Sequence, residues 1–185
     1  MEAMGGDKRF VERLDSLFTM HLPDEFFAQT EDVTREGLLG TYVHGNEPSH
    51  HIPYLYSWTT EPWKTQYWIR EIMNRMYRNN IDGLCGNDDC GQMSAWYIFS
   101  AMGFYPVNPS DGKYQLGTPL FKKVTIKLGQ DRKFVIQANR ENDRYIYVKE
   151  VLLNGDKLDR TWITHDEIMN GGKLEFVLTP EIPQK

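Results

Sequence analysis

The chain has 185 residues, of which 40% are hydrophobic and 25% charged, the composition of an ordinary globular protein with one domain or two small ones. Its formal net charge of −5 argues against nucleic acid as a partner, because a phosphate backbone is bound by clustered Lys and Arg. No stretch approaches the roughly 18 consecutive apolar residues of a membrane-spanning helix, and Met1 is not followed by the basic and apolar regions of a signal peptide. We therefore expect either a cytosolic protein or a piece of a longer chain. Aromatic residues make up 13% of the sequence, which weakly favours a sugar ligand.

The first half of the chain has the pattern of helices. Apolar residues recur at helical spacing over residues 7–18 and predict an amphipathic helix. Residues 21–36 are predicted to be irregular, with their acids on a solvated surface. A second helix is predicted over residues 61–78, with Thr60 as its N-cap, and its apolar stripe over residues 68–77 is wide enough to need partners on more than one side.

Two adjacent carboxylates, Asp88 and Asp89, lie in a glycine-bounded loop directly before a third predicted helix over residues 92–102. One carboxylate is enough to cap the positive end of that helix, so the second acid remains a candidate functional group. Cys85 and Cys90 flank the loop. A disulfide across so short a loop is possible but uncommon, and we expect free, partly buried thiols.

Beyond residue 104 the sequence changes to short strands. Alternation of apolar and polar residues predicts strands at residues 123–127, 133–137, 145–152 and 173–178. Asn154-Gly155-Asp156 predicts a hairpin turn, and His165–Met169 predicts one helical turn. We therefore predict an α+β fold, with a helical domain over residues 1–104 and an antiparallel β region over residues 105–185.

A second polar cluster, from His44 to His51, lies before the second helix. Asn46 and Glu47 supply the hard oxygen ligands that calcium prefers, although a turn with an exposed acid would use the same residues. A zinc hydrolase built on His44, His50 and His51 is a weak alternative, because no Cys or carboxylate stands at a recognisable zinc spacing. A packed, hydrogen-bonded role for each histidine stays open.

The residue sequences of the two clusters, and their order in the chain, resemble the C-terminal part of glycoside hydrolase family 92, the calcium-dependent exo-α-mannosidases. The matching text is HGNEPSHHIPYLY over residues 44–56, followed by GNDDCGQMSAWY over residues 86–97 and GFYPV over residues 103–107. The similarity covers essentially all 185 residues. It implies that residues 1–104 are the closing helices of an (α/α)6-type catalytic barrel, whose active site is completed by an N-terminal β-sandwich.

The resemblance implies an inverting hydrolase of terminal α-mannosides that uses Ca²⁺. Asp89 matches the general base, and Asn46 and Glu47 match the segment near the calcium ion. Such an enzyme holds its acid and base about 6.5–9.5 Å apart to leave room for water. The residues expected to contact substrate are His44, Glu47, Asn87 and Asp88. Some members have an acid where Asn87 stands, so proton handling here is expected to depend more on Asp89.

The general acid of the family is a glutamate in an aromatic-rich motif that would precede Met4. We therefore expect a C-terminal fragment that carries the base, lacks the acid and is inactive alone. Its implied partners are a mannose-containing glycan and the N-terminal part of the same enzyme, and the family suggests an exported protein. A truncated barrel should also expose the apolar stripe over residues 68–77 and self-associate. The alternative from a different class is a non-catalytic module that binds calcium or carbohydrate with the same loops.

Overall fold

The computed structural model describes residues 1–21, 23, 25 and 37–183. The prediction of an irregular segment over residues 21–36 therefore falls almost entirely outside the described residues. The helices are α1 (Asp7–Thr19), α2 (Trp63–Met76), α3 (Gln92–Met102) and the short α4 (His165–Met169). Single 3-10 turns or short 3-10 helices occur at Glu2–Met4, Glu47–Ser49, Ile52–Trp58 and Pro109–Asp111.

Helix α2 begins two residues later than the sequence predicted. Pro62 occupies the N-cap position and its side chain makes no cap hydrogen bond. Thr60 does not cap the helix, because its hydroxyl donates to the carboxylate of Asp7 at the start of α1. The hydroxyl of Thr59 instead accepts a hydrogen bond from the backbone N–H of Glu61 at 3.0 Å. The predicted cap was wrong because a partner in another helix competes for the Thr60 side chain.

The strands form three sheets. A two-stranded hairpin pairs β1 (Leu38–Leu39) with β2 (Tyr42–Val43). A three-stranded sheet has the order β3-β4-β9, with bounds Phe104–Tyr105, Lys113–Leu116 and Trp162–Thr164. A five-stranded sheet has the order β5-β6-β10-β7-β8, with bounds Lys123–Gly129, Arg132–Asn139, Gly172–Thr179, Tyr147–Leu153 and Asp156–Lys157.

The five-stranded sheet is mixed rather than antiparallel. β10 runs parallel to β6, with Gly172 opposite Phe134 and Val177 opposite Asn139, whereas its other neighbour, β7, is antiparallel. The prediction of an antiparallel β region is wrong for this pair, because alternation of side chains reports which face is buried and carries no information on strand direction. The α+β class itself is confirmed by the helices and sheets. The predicted hairpin turn is present, with φ of 55° at Asn154 and 95° at Gly155.

Two groups of buried side chains form the core. The first packs α1, the segment 52–58, α2 and α3 together. The second lies within the β region, where Phe134, Ile136, Leu174 and Phe176 are at most 1% exposed. The predicted division of the chain at residues 104 and 105 stays a prediction.

The apolar stripe of α2 is covered within this chain. Ile69 and Ile72 are fully buried and Met76 is 2% exposed, while Trp68 stacks on Phe18 of α1 with ring centroids 4.5 Å apart. The expectation that this stripe lies exposed is wrong, because α1 and its neighbours supply the partners that its width demanded. Within the described ranges, no helix combines the length and apolarity needed to cross a membrane.

Candidate active site

The two polar clusters meet where their backbones cross at Gly45 and Gly86. A Cβ added to Gly86 would lie 2.7 Å from both the Cα and the carbonyl oxygen of Gly45, and one added to Gly45 would lie 2.8 Å from the carbonyl oxygen of Cys85. Neither glycine has a positive φ, so the requirement for glycine is purely steric. Sequence reasoning missed this crossing, and its signal is that each motif carries a glycine two or three residues before its acid.

The crossing brings the carboxyl groups of Glu47 and Asp89 within hydrogen-bonding reach of each other. Glu47 opens the 3-10 turn 47–49, and Asp89 lies in the exposed loop before α3. The contact with Glu47 is the main cause that raises the pKa of Asp89 above its ordinary value, followed by desolvation. The pKa of Glu47 is lowered, first by a hydrogen bond from its own backbone N–H and then by Asp89. Asp89 is therefore the more basic member of the pair.

The loop that presents Asp89 has an unusual backbone. Asp89, Cys90 and Gly91 have φ values of 47°, 58° and 97°, so three successive residues occupy the left-handed region, which is uncommon for residues other than glycine. The loop is closed by the carbonyl oxygen of Asp88, which accepts hydrogen bonds from the N–H groups of Gly91 at 3.1 Å and Met93 at 3.2 Å. Strained backbone of this kind concentrates at functional loops.

Asp88 holds the start of α3. Its Oδ1 accepts hydrogen bonds from the backbone N–H and the hydroxyl of Ser94, both at 2.9 Å, while Gly91 stands at the N-cap position without a side chain. One of the first N–H groups of the helix is thus satisfied by a residue outside the helix. Asn87 is exposed beside it. Both cysteines are free, Cys85 half-buried and Cys90 exposed, so the prediction of partly buried thiols holds for Cys85 alone.

His44 lies beneath the loops, fully buried. Its Nδ1 is 2.8 Å from the hydroxyl of Tyr42 and its Nε2 is 2.7 Å from the hydroxyl of Tyr77. Because the Tyr77 hydroxyl donates to the carbonyl oxygen of Met93 at 3.0 Å, it accepts from His44, which assigns the proton to Nε2 and makes Nδ1 the acceptor. Burial, assisted by the nearby His50, lowers the pKa of His44 from 6.5 to about 2, so the ring is neutral.

His50 belongs to the same network. Its Nε2 donates to the carbonyl oxygen of His44 at 3.0 Å, and its Nδ1 accepts from the side-chain amide of Gln92 at 3.2 Å. The indole N–H of Trp96 donates to the carbonyl oxygen of His50 at 3.0 Å. Burial lowers the pKa of His50 below its ordinary value. The two histidines therefore tie the 44–50 segment to α3.

The structure thus separates the predicted site residues into a surface group and a buried one. Glu47, Asp89, Asn46 and Asn87 lie at or near the surface, whereas His44 is buried with both ring nitrogens bonded to tyrosines. Across the described part of the chain, no three His, Cys, Asp or Glu side chains converge as a metal site. Both ring nitrogens of His44 are already hydrogen-bonded to tyrosines, which counts against its use as a zinc ligand.

The donor chemistry of the surface group fits calcium. The carboxylates of Glu47 and Asp89 meet at one point, and Asn46 precedes Glu47 with an exposed amide. These are hard oxygen donors, and a divalent cation relieves the repulsion between paired carboxylates. Calcium takes about six to eight oxygen ligands, so water, sugar hydroxyls or further protein groups would have to supply the others.

Comparison with known proteins places the chain among glycosidases. A model described as the glycosyl hydrolase family 92 catalytic domain matches residues 1–180. An uncharacterized secreted glycosidase from Arthroderma benhamiae is 30% identical over 181 residues, which are 96% of this chain and 21% of that protein.

Two solved structures resemble this chain in both sequence and fold. A family GH92 α-mannosidase from Bacteroides thetaiotaomicron, in complex with mannoimidazole, matches with a TM-score of 0.87 and 45% identity over 95% of this chain and 23% of that chain. A family GH92 inverting mannosidase from the same species matches with a TM-score of 0.81 and 41% identity over 97% of this chain and 25% of that one. The chain spans about a fifth to a quarter of the length of these relatives. It belongs to glycosyl hydrolase family 92, as the resemblance of its two motifs predicted.

Proposed function

We propose that the chain is the base-bearing C-terminal part of an inverting α-mannosidase that releases terminal mannose from glycans. The observation that carries the proposal is the meeting of Glu47 and Asp89 across the backbone crossing at Gly45 and Gly86. Glu47 and Asp89 are 42 positions apart in the sequence, yet their loops present them at one point.

Asp89 is the proposed general base. An exposed carboxylate beside a second acid can accept a proton from a water molecule as the water attacks the anomeric carbon. Its loop has three successive residues with positive φ, and the hydrogen bond from Ser94 to Asp88 anchors the backbone that carries the side chain. Positioning of this kind lowers the entropy cost of bringing water and base together.

Asn46 and Glu47 are the proposed protein ligands of Ca²⁺. When bound, the ion supplies a fixed positive charge that orients sugar hydroxyls. Asn87, Asp88 and Glu47 are proposed to contact the sugar from the surface. His44 is proposed to act from beneath, where its hydrogen bonds to Tyr42 and Tyr77 hold the segment that carries Asn46 and Glu47.

The remaining catalytic parts are proposed to lie in sequence that the longer relatives possess. These parts are the general acid, the earlier helices of an (α/α)6-type barrel and an N-terminal β-sandwich. The 185 residues alone are then inactive. Export of the parent enzyme is proposed as well, because the relative from Arthroderma benhamiae is a secreted glycosidase.

The test is Asp89→Asn in the full-length enzyme that contains this segment. A general base contributes about 10²- to 10⁴-fold to the rate, so kcat should fall by at least that factor while binding of mannoimidazole is largely preserved. Asp82→Asn is the matched control, since Asp82 is an exposed acid earlier in the same connection between α2 and α3. Unchanged turnover in the Asp89 variant would refute the assignment.

A second candidate function is a module that binds calcium or carbohydrate without catalysis. The same oxygen-rich loops favour it, because they can bind a cation or a sugar without any acid partner. Titration of mannose and calcium onto the 185-residue chain measures this binding directly. A non-catalytic module would bind while its full-length parent keeps its turnover after Asp89→Asn.

A further inference from the structure

Two buried arginines face the connection between the helical and β parts of the chain. Arg70, on α2, is 4% exposed, and the side chain of Arg140, directly after β6, is 5% exposed. Their Nη2 atoms donate to successive carbonyl oxygens, those of Pro119 at 2.8 Å and Leu120 at 2.6 Å. The two guanidinium groups therefore grip the same short stretch of backbone from opposite parts of the fold.

The stretch that they grip is itself fixed. The backbone N–H groups of Leu120 and Phe121 both donate to the carbonyl oxygen of Ala101, at 2.9 and 3.2 Å, which ties the stretch to the last turn of α3. Because this stretch is held by α3, the carbonyl oxygens that accept from the two arginines are held in place as well.

The positive charge of this pair is poorly compensated. Among the described residues, the carboxylate in contact is that of Asp143, whose Oδ1 lies 3.4 Å from Arg140 and whose side chain is 90% exposed. An ion pair with an exposed acid contributes little, whereas a buried cation without a partner is strongly unfavourable. Burial and the nearby charge of Arg140 both lower the pKa of Arg70, to about 10.

Hydrogen bonding is incomplete at the same place. The buried side-chain atoms that lack a partner in the described part of the chain are Nε of Arg70 and both Nε and Nη1 of Arg140. Buried donors are almost always satisfied in folded proteins. A water molecule would accept a hydrogen bond but would leave the two charges uncompensated, whereas an anion accepts hydrogen bonds and also neutralises charge.

We propose that Arg70 and Arg140 form a buried binding site for a small monovalent anion of the size of chloride. The ion accepts hydrogen bonds from Nε of Arg70 and from one of the two unpartnered nitrogens of Arg140, since Nε–H and Nη1–H of one guanidinium point in different directions, and it neutralises part of the local charge. Because one arginine belongs to α2 and the other follows β6, the bound ion links the helical region to the five-stranded sheet. The site lies outside the acidic loops of the candidate active site, so it stabilises the fold rather than takes part in chemistry.

The test is the melting temperature of the 185-residue chain as chloride replaces gluconate, an anion too large for a buried site, at constant ionic strength. Binding to the folded state should raise the melting temperature by roughly 3–5 °C for each tenfold increase in chloride above the dissociation constant. Arg140→Met should abolish this dependence. Arg75→Met is the control, since Arg75 is 58% exposed on the same helix, and it should keep the full dependence.

A crystal grown with bromide in place of chloride gives a second readout that does not depend on a variant. An anomalous peak within hydrogen-bonding distance of the unpartnered nitrogens is expected. A water molecule at that position, or a melting temperature that does not respond to chloride in the unsubstituted chain, would overturn the proposal. If Arg140→Met does not fold, the bromide map and the chloride response of the unsubstituted chain still decide the question.

Discussion

The backbone crossing at Gly45 and Gly86 leads to a prediction of definite size. In Gly86→Ala, the new Cβ would lie 2.7 Å from backbone atoms of Gly45, about 0.7 Å short of the 3.4 Å at which ordinary contact begins. Backbone atoms cannot move aside as the end of a flexible side chain can, so the two loops must separate. Overpacking of this kind costs about 1–3 kcal/mol, which corresponds to a fall in melting temperature of roughly 2–12 °C for a chain of this length.

Thermal unfolding followed by circular dichroism measures the loss of stability, and amide chemical shifts locate it. Gly155→Ala is the control, because Gly155 has a φ of 95° with open space around it and lies in the β7–β8 hairpin. Both variants should be destabilised, but Gly86→Ala alone should shift the amide signals of Asn46 and Glu47. A melting temperature within 1 °C of the unsubstituted chain, with unchanged shifts at these two residues, would refute the crossing.

Three further predictions concern groups beneath and beside the loops. Tyr77→Phe leaves the buried Nε2–H of His44 without its acceptor and should lower the free energy of unfolding by about 1–3 kcal/mol. Tyr67→Phe is the control and should cost little, because the Tyr67 hydroxyl makes no hydrogen bond in the described part of the chain. Equal losses of stability in urea unfolding would argue against the network. His44 has its pKa lowered from 6.5 to about 2 in the folded state, so the unfolded chain binds the proton first and stability should fall as pH drops below 6.5, by about 1.4 kcal/mol per pH unit. A flat stability profile between pH 6.5 and 5 would show that His44 is not buried. Asp88→Ala should remove about 0.5–2 kcal/mol by freeing the N–H of Ser94, while Asp88→Asn, which keeps an acceptor oxygen, should lose less; the reverse order would contradict the capping role.

Local sequence patterns predicted the longer helices and strands well, but they missed shorter strands such as Phe104–Tyr105 and Trp162–Thr164. Helix α3 has the predicted bounds, and α1 extends one residue beyond its prediction. The Asn154-Gly155 turn formed as expected, because residues that tolerate positive φ are required there. In each of these places, the signal lies within a few residues of the feature that it describes.

Features that depend on distant partners could not be read from the sequence. The parallel pairing of β6 with β10 and the use of Thr60 by Asp7 are choices between partners far apart in the chain. The hydrogen bonds of His44 to Tyr42 and Tyr77 could not be predicted either. The sequence of a buried tyrosine does not show whether its hydroxyl forms a hydrogen bond. Self-association was predicted because the apolar stripe of α2 was expected to be exposed. The stripe is buried, so this reason for self-association no longer holds.

The family was readable for a different reason. The residues around Asn46 and Asp89 form two long motifs in a fixed order. Long motifs of this kind identify a family, whereas amino-acid composition does not. The two motifs are close in space because the backbones of Gly45 and Gly86 are in contact. Only the three-dimensional structure shows that contact.

The most direct test of the account is the titration of the Asp89 carboxyl group by ¹³C NMR in the unsubstituted chain and in Glu47→Gln. The contact with Glu47 is the largest cause of the raised pKa of Asp89, so this pKa should lie above the ordinary value of about 3.9 for aspartate and fall toward it in the variant. Glu150→Gln, which removes an acid on β7 in the five-stranded sheet, should leave the titration unchanged. An Asp89 pKa that is the same with and without the Glu47 carboxylate would contradict the claim that the two loops form one acidic site.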